Sequence, residues 1–554
     1  MSKFIKFALV AVLLLGVEPK VFCDDKHDFQ NTKNLDIFYN LYKQLDLFYV
    51  DSIKPEKTIR AGIDAMLGNL DPYTNYISEQ EIDDFKFLTT GEYGGIGSMV
   101  SAHKGNIYIS EPYENMPAAK AGLKAGDLVL EIDGKSLKGK TISEASEMLK
   151  GQPNTTLKIK IQRGEKSKPQ DFTIIRQKIV ISSVPYYGVV GSNTGYILIT
   201  SFTDKTGGEF KNAFLDLKNN KKITSLIIDL RSNGGGIMEE AIKVINYFVA
   251  KGVEVVATRG KVKQWDRTYK TASEPIDTEI PIAIMVNRGS ASASEIVAGA
   301  LQDLDRAVII GERSFGKGLV QTTRPISFNG SLKVTTAKYY TPSGRCVQAI
   351  DYTHRNADGS VGSIADSLTH VFYTKNKRPV RDGGGVTPDI KIEDEKTPNI
   401  IYYLINDFIV FDFATQYASK HTTIPSVSDF AINDEEYKSF KEFVKSRNFV
   451  YDRQSEKALK ELEDVTKFEG YYEGAEPEFK ALKAKLTHDL DKSLTIFSND
   501  IRDLLEAEIV KRYYYQKGEI AHSLMNDKDI KKAIGIVSDA KVYSEILNPI
   551  VKTK

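Results

Sequence analysis

The sequence predicts a multidomain protein of the α/β plus α class, with an α/β core between helical regions at either end. A length of 554 residues exceeds what one hydrophobic core accommodates. Strand and helix patterns alternate over residues 183–392, which favours a largely parallel sheet. Residues 24–89 and 393–554 carry apolar side chains every three or four positions, as amphipathic helices do. Residues 90–182 contain short alternating strands and predict a small barrel-like domain.

The first 23 residues have the pattern of a secretory signal peptide. Lys3 and Lys6 precede an apolar run over residues 7–17, which is too short to span a bilayer. Cleavage after Cys23 predicts a mature chain that begins at Asp24 and is exported to the periplasm. A lipid on Cys23 is the alternative and would associate the protein with a membrane, but residues 20–22, KVF, lack the small side chains that lipid attachment needs. A buried amino-terminal helix is a second alternative.

The prediction that residues 24–89 are helical rests on the spacing of their apolar side chains. The segment LDPY at residues 70–73 interrupts it, because proline ends or begins helices. The apolar positions that repeat at helical spacing are Ile37, Leu41, Leu45, Phe48, Ile59, Ile63, Met66 and Leu67.

The small domain opens with a glycine-rich segment, GEYGGIG, at residues 91–97. Strand patterns follow near residues 99–101, 106–109, 128–132 and 157–161, with helical pieces at 118–122 and 142–150. The Asp133-Gly134 dipeptide marks a turn after the third strand.

The α/β core contains strand patterns at residues 195–202, 224–230 and 281–286, with helices at 238–250 and 294–303. The core closes near Asp389, after three consecutive glycines. The helical region 393–554 has no motif that assigns a role. Packing on the core, dimerisation and partner binding all stay open for it.

Composition excludes some functions. The 75 basic and 74 acidic side chains leave a net charge of +1, so nothing favours a nucleic-acid partner. The seven histidines show no metal-ligand spacing, and we expect no metal and no cofactor. Only Cys23 and Cys346 are cysteines, so cleavage after Cys23 leaves no intramolecular disulfide.

Two segments of the core suggest nucleophilic chemistry. Residues 287–296, NRGSASASEI, place a hydroxyl where a buried strand meets a helix and where helix N–H groups are free. Residues 311–321, GERSFGKGLVQ, place Lys317 between two glycines in apolar surroundings. Burial lowers a lysine pKa by up to ~3–5 units, which yields an amine that accepts the serine proton. Seen alone, each segment also fits a helix cap or a solvated turn.

A third segment, DLRSNGGG at residues 229–236, follows a buried strand and precedes a helix. Consecutive glycines let backbone N–H groups point at an oxyanion, as acyl transfer requires. A phosphate-binding loop is the alternative, but the trailing Gly-Lys-Ser/Thr of that pattern is absent.

Together the three segments resemble the carboxyl-terminal processing proteases, or tail-specific proteases, of the serine-lysine peptidase family. The resemblance covers about residues 35–390 and includes the family spacing of 25 positions between serine and lysine, which selects Ser292. It implies a serine endopeptidase with a crotonase- and Clp-protease-like core. The implied roles are the nucleophile, the base, the group that orients the base, and the two oxyanion donors: Ser292, Lys317, Gln321, Gly235 and Ala293.

Two further positions lie close in sequence to the implied site residues. Ser294 is expected to cap the helix. Gly234 stands where many family members have proline, which loosens the turn.

Residues 90–182 then resemble an inserted PDZ domain, which captures a chain's terminal carboxylate and adds the peptide as an extra strand. Its carboxylate-binding loop would be Gly94, Gly95, Ile96 and Gly97. The partners implied are proteins with exposed carboxyl-terminal tails, with a homo-oligomer or an adaptor as further partners.

Two rival functions are weaker. A crotonase-type acyl-CoA enzyme would share the glycine turn but would not need the serine-lysine pair. A silent periplasmic scaffold would not need both segments intact. Among other candidate groups, His354 and His370 lie in the α/β core and could serve a different triad. Cys346 could be a nucleophile, but no histidine sits in a recognisable partner motif, so a buried thiol is favoured.

Overall fold

A computed structural model describes residues 25–164, 167–356, 361–393, 397–451, 453–486 and 490–548. The predicted signal peptide and Cys23 lie outside the described residues. The chain divides between Asn69 and Leu70 into two units. The first unit contains helices α1 (Asp25–Phe48) and α2 (Pro55–Gly68). Pro55 is the first residue of α2, where its fixed φ suits a helix and its missing N–H has no intrahelical acceptor.

The second unit contains the strands and the remaining helices. Its strands are β1 Asn75–Ile77, β2 Glu92–Gly95, β3 Ser98–His103, β4 Asn106–Pro112, β5 Asp127–Ile132, β6 Lys135–Ser136, β7 Thr156–Arg163, β8 Gln170–Ile175, β9 Gln177–Val180, β10 Tyr186–Val190, β11 Thr194–Leu198, β12 Ser225–Asp229, β13 Glu254–Gly260, β14 Arg267–Lys270, β15 Ile282–Val286, β16 Val308–Gly311, β17 Leu319–Pro325, β18 Ser331–Tyr340, β19 Ile350–Arg355, β20 Val361–Ser363, β21 Val371–Tyr373, β22 Pro379–Arg381 and β23 Ile390–Lys391. Its helices are α3 Ile82–Thr90, α4 Pro117–Lys120, α5 Ile142–Leu149, α6 Thr206–Asn219, α7 Met238–Asn246, α8 Ala293–Asp303, α9 Asn399–Asn406, α10 Ile409–Lys420, α11 Asp434–Ser446, α12 Gln454–Phe468, α13 Tyr472–Leu486, α14 Leu490–Ile496, α15 Ser498–Asn526, α16 Lys528–Ser538 and α17 Ala540–Leu547.

The small domain is an antiparallel sheet in the order β3-β4-β5-β7-β8, with β6 on β5. Residues alternate along β7, so Leu157, Ile159 and Ile161 point into the core. The edge strand β3 pairs only with β4 among the described strands. The chain enters and leaves through the antiparallel pair β2 and β9. The domain is therefore an insertion whose two connections lie side by side.

The core sheet runs in the order β10-β11-β12-β15-β16-β23, parallel except for β10 against β11. Strands β12 and β15 are buried along their whole length, as expected for largely apolar strands inside a parallel sheet. Helices α6, α7 and α8 cover one face. Helices α16 and α17 cover the other. The structure confirms the α/β class, and it answers one open question, because the end of the helical tail packs on the core.

A second, antiparallel sheet has the order β1-β18-β13-β14, with β17 also on β18. Its first strand corrects the expected helical region, since Asn75–Ile77 pairs with β18 more than 250 residues later in the chain. Three residues are too few to show a period, so the strand had no sequence signal.

The helices α9, α10, α11, α14 and α15 form a separate apolar core. Helix α15 is interrupted at Tyr515, whose φ of 55° and ψ of −164° are not helical. No helix in the described ranges is both long and apolar enough to cross a membrane.

Candidate active site

Ser292 lies between β15 and α8, where the chain turns sharply. Its φ of 55° and ψ of −113° are rare for a residue with a side chain, and such strain is concentrated at functional sites. Ser292 is also the cap residue of α8. The expectation that Ser294 caps this helix is therefore wrong, because Ser294 lies inside the first turn.

The two neighbouring serines are bound into the scaffold. The Ser290 hydroxyl donates to the Leu230 carbonyl at 2.7 Å, and the Ser294 hydroxyl donates to the Asn233 carbonyl at 2.9 Å. Both side chains are fully buried, whereas Ser292 is partly exposed. Of the three serines, Ser292 is the one that a substrate reaches.

The buried carboxylate of Glu295 joins the serine loop to the lysine loop. Its Oε2 accepts the backbone N–H of Ser292 at 2.9 Å and that of Lys317 at 2.8 Å. Its Oε1 accepts the Gly316 N–H at 2.7 Å and the Ser314 hydroxyl. Burial raises the pKa of Glu295, and these four donors oppose the rise.

From the sequence, Glu295 has no role beyond membership of the segment at residues 287–296. A serine followed three residues later by glutamate is the capping-box pattern, and that signal would have singled it out.

Lys317 is half-buried, and its Nζ lies 4.2 Å from the centre of the Tyr73 ring. Burial, and after it the like charge of Lys333, lower the pKa of Lys317 to about 8, while Asp71 and Glu295 oppose the shift. About a tenth of such an amine is neutral at pH 7. The structure thus gives Lys317 the electrostatic property that a general base needs.

The segment at residues 70–73, which the sequence marks only as a helix break, lies beside Lys317. The Asp71 carboxylate accepts the N–H groups of Tyr73 and Thr74, each at 2.8 Å, and this turn presents the Tyr73 ring to Lys317. The Thr74 hydroxyl in turn accepts the N–H of Thr335 at 3.2 Å. An aspartate followed by proline favours such a turn, but its contact with Lys317 has no local sequence signal.

The structure does not join the three predicted catalytic side chains directly. The Gln321 amide donates to the Thr335 hydroxyl at 3.2 Å. Within the described ranges, no hydrogen bond connects the Lys317 amine with Ser292 or Gln321. Catalytic hydrogen bonds are often long in free enzymes and tighten when substrate binds.

Gly235 lies directly against the nucleophile. Its φ is +99°, and a Cβ on Gly235 would lie 2.7 Å from the Ser292 Cβ and 2.9 Å from the Ala293 nitrogen. Only glycine fits this position. The Gly235 N–H donates to the Asn233 side-chain oxygen at 2.9 Å, so this predicted oxyanion donor is already occupied. For the Ala293 N–H, no acceptor is found within the described part of the chain.

The predicted carboxylate loop lies just before the edge strand β3. Gly94 and Gly95 belong to β2, and Ile96 is buried in the core of the small domain. Gly97 has a φ of +70° and lies against Met116. The loop therefore turns the chain into a strand whose outer edge is open in the described structure.

The other groups that the sequence offers as catalytic candidates have surroundings less suited to catalysis. Histidine 370 is exposed, with its Nδ1 3.4 Å from Asp382. Burial raises the pKa of the Cys346 thiol, which disfavours a thiolate nucleophile. Within the described ranges, no group of three or more His, Cys, Asp or Glu side chains is arranged to hold a metal ion.

A strained serine, a half-buried lysine and a glycine turn at the carboxyl ends of parallel strands are the arrangement of a serine peptidase. Residues 193–355 match the model of peptidase family S41, and residues 108–163 match a PDZ domain. Residues 400–537 match the family described as "Probable PDZ-protease, C-terminal helical domain".

Relatives agree with these matches. The "Carboxy-terminal-processing protease" of Bartonella bacilliformis is 40% identical over 58% of this chain and 75% of its own length. A "Probable CtpA-like serine protease" of Staphylococcus aureus strain bovine RF122 is 36% identical over 57% of this chain and 62% of its own. A solved photosystem II D1 C-terminal processing protease is 27% identical, with 65% of this chain and 88% of that one covered and a TM-score of 0.36.

The chain belongs to peptidase family S41, among the carboxy-terminal-processing proteases. This confirms the family and the PDZ domain that the sequence motifs suggested.

Proposed function

We propose that the protein is an exported serine endopeptidase that cleaves proteins near their carboxyl ends, with Ser292 as nucleophile and Lys317 as base. The observation that carries the proposal is the shared acceptor Glu295 Oε2, which fixes the backbones of both residues to one buried atom. The lowered pKa of Lys317, about 8, supports its role as the base.

In the first half-reaction, neutral Lys317 takes the Ser292 hydroxyl proton as the Oγ bonds to the scissile carbonyl carbon. The carbonyl electrons move to oxygen, where the Ala293 N–H and then the Gly235 N–H stabilise the charge. When the C–N bond breaks, the Lys317 ammonium gives its proton to the leaving amine. Water then attacks the acyl ester with Lys317 again as base, and the proton returns to Ser292.

Two side chains must move for this chemistry. The Gly235 N–H reaches an oxyanion only after it exchanges its bond with Asn233. Gln321 orients the Lys317 amine only after it leaves Thr335. Both bonds are single and neutral, each worth about 1 kcal/mol, so substrate binding is sufficient to replace them.

The PDZ domain is proposed to select the substrate. An extended peptide adds to the open edge of β3, and the loop Gly94–Gly97 receives its terminal carboxylate. The position of Gly97, which has a φ of +70° and immediately precedes β3, supports this proposal, because it places the loop at one end of the open edge.

We also propose the finer features of the architecture and location. The parallel order β11-β12-β15-β16 with helices on both faces supports a crotonase- or Clp-like core. The domain bounds 24–89, 90–182, 183–392 and 393–554 remain proposals. Export to the periplasm rests on residues 1–23. A native amino terminus near Asp24 is expected by mass spectrometry, and an intact Met1 would contradict export.

The test is incubation of the purified protein with an unfolded protein that carries a free carboxyl terminus, with products identified by mass spectrometry. We expect cuts concentrated in the carboxyl-terminal part of the substrate, and none with the Ser292→Ala variant. Cuts spread evenly along the substrate would contradict carboxyl-terminal selection, and equal cleavage by both proteins would contradict Ser292 as the nucleophile.

A further inference from the structure

The guanidinium of Arg231 connects the glycine turn of the active site to the carboxyl-terminal helices. Arg231 follows β12 and directly precedes the turn at residues 232–236. Its Nη2 lies 2.6 Å from Asp229 Oδ2 and 2.8 Å from Asp527 Oδ2, and its Nη1 lies 3.4 Å from Asp529 Oδ2. One arginine thus contacts a carboxylate of its own strand and two carboxylates at the start of α16.

We propose that Asp527, assisted by Asp529, is a positioning residue that holds the glycine turn through Arg231. The inference rests on the proposed function, since that turn carries the proposed oxyanion donor Gly235. Neither aspartate touches the reacting atoms.

The position of Asp527 is fixed by its own helix. Its Oδ1 accepts the N–H groups of Asp529 at 2.8 Å and Ile530 at 3.0 Å, which makes Asp527 the cap of α16. The buried side chains of Ile530, Ala533 and Val537 anchor α16 to the core sheet. The two oxygens of Asp527 have separate tasks, because Oδ1 caps the helix and Oδ2 accepts from Arg231.

From Arg231 the contacts continue along the backbone to the nucleophile. The N–H of Ser232, a residue with a φ of 60°, donates to the Asn287 side chain at 2.7 Å. The Asn233 carbonyl accepts the N–H of Ala291 at 3.0 Å and the Ser294 hydroxyl. A shift at Arg231 is therefore passed to the loop that holds Ser292.

The contact with α16 stabilises the charged form of the buried Arg231 side chain. Burial alone would lower the pKa of Arg231, but Asp229 and then Asp527 raise it above its ordinary value. Burial and the neighbouring charge of Asp527 raise the pKa of Asp529. The arrangement tolerates repulsion among three carboxylates, and Arg231 is the cation that compensates it.

The chain offers a matched control in Asp539. This residue caps α17 in the same way, with Oδ1 accepting the N–H groups of Lys541 and Val542 at 2.9 and 3.1 Å, and the structure places no arginine of the described residues against it. Asparagine caps a helix as well as aspartate does, so Asp527→Asn and Asp539→Asn both keep their helix caps. Only Asp527→Asn replaces the oxygen that faces Arg231 with an amide group.

The experiment compares these two variants in the full-length protein by hydrogen exchange and by steady-state kinetics. In Asp527→Asn we expect faster amide exchange over residues 231–237, with kcat lowered about tenfold and KM within about twofold, because a misplaced turn weakens transition-state binding more than substrate binding. Asp539→Asn should match the wild type in both measurements, and both variants should melt near the wild-type temperature.

The outcomes separate the two proposals. Wild-type exchange over residues 231–237 in Asp527→Asn would overturn the inference, whatever the activity. Faster exchange with unchanged kcat would overturn the positioning role. A wild-type protein without peptidase activity, with exchange altered only in Asp527→Asn, would leave Arg231 held by α16 and contradict the proposed function instead.

Discussion

The backbone N–H groups of Ser292 and Lys317 donate to the same oxygen, Oε2 of Glu295, at 2.9 and 2.8 Å. Two residues that are 25 positions apart in the sequence therefore bind one buried atom. No hydrogen bond joins the two side chains in the described structure, but both backbones are bonded to the same carboxylate oxygen. Glu295 therefore holds the serine loop and the lysine loop in place relative to each other.

Replacement of the Glu295 carboxyl group should disturb both loops. Glu295→Gln replaces one acceptor oxygen with a donor that faces N–H groups, so we expect kcat to fall about 10- to 100-fold with a small change in KM. The control is Glu144→Gln, because Glu144 holds the same third position in the capping box of α5. Steady-state kinetics check the difference, and equal activity of the two variants would show that the shared acceptor is unimportant.

The three serines should differ in what their removal affects. Ser292→Ala should abolish peptidase activity while the protein stays folded, with a loss of stability of at most about 2 kcal/mol, because Ser292 caps α8. Ser290→Ala should keep most of the activity but lower stability by about 1 kcal/mol, since its buried hydrogen bond to Leu230 is lost. Activity assays and thermal melts measure both effects. An active Ser292→Ala protein would show that another residue is the nucleophile.

The rate should fall as the pH drops through about 8, because protonation of Lys317 removes the base. Lys333→Met removes a like charge near Lys317, so the pKa of Lys317 should rise and the acidic limb should move to higher pH by roughly half a unit. Lys338→Met is the control, since Lys338 is exposed on the same strand. Profiles of kcat/KM against pH decide the matter, and a limb that stays in place, or moves to lower pH, in Lys333→Met would be inconsistent with this electrostatic coupling.

Peptide binding should depend on a free carboxylate. If the loop ending at Gly97 receives the anion beside β3, amidation of a peptide's carboxyl terminus should weaken its binding at least about tenfold, the scale of a lost charged hydrogen bond. Calorimetry on the Ser292→Ala protein, with one peptide in acid and amide forms, measures this without cleavage. Equal affinities would argue against carboxylate capture.

The features visible in the sequence were those with a local pattern. The buried strands β12 and β15 appear as largely apolar runs, and the glycine turn and Ser292 come shortly after them. Lys317 comes shortly after the apolar strand β16. Parallel strands bring their carboxyl ends to one edge, so local patterns predicted which segments meet there.

The features that were missed depend on distant contacts. Strand β1 pairs with β18 through only three residues, and Tyr73 reaches Lys317 from a turn before the PDZ domain. Asp527 reaches Arg231 from almost 300 residues away in the sequence. Such pairs obey no period in the sequence, and only the folded chain brings them together.

The role of Lys317 is the claim that separates this mechanism from one based on histidine, and one measurement tests it most directly. That measurement is kcat/KM on an unfolded substrate for the wild type, Lys317→Ala, Lys317→Arg and His370→Ala, with circular dichroism to verify each fold. Arginine keeps the positive charge but cannot accept the serine proton, so both Lys317 variants should lose about 10³-fold while His370→Ala keeps most of its activity. A folded Lys317→Ala enzyme that still turns over at a rate close to the wild type, or a folded His370→Ala enzyme that does not, would contradict the serine-lysine mechanism.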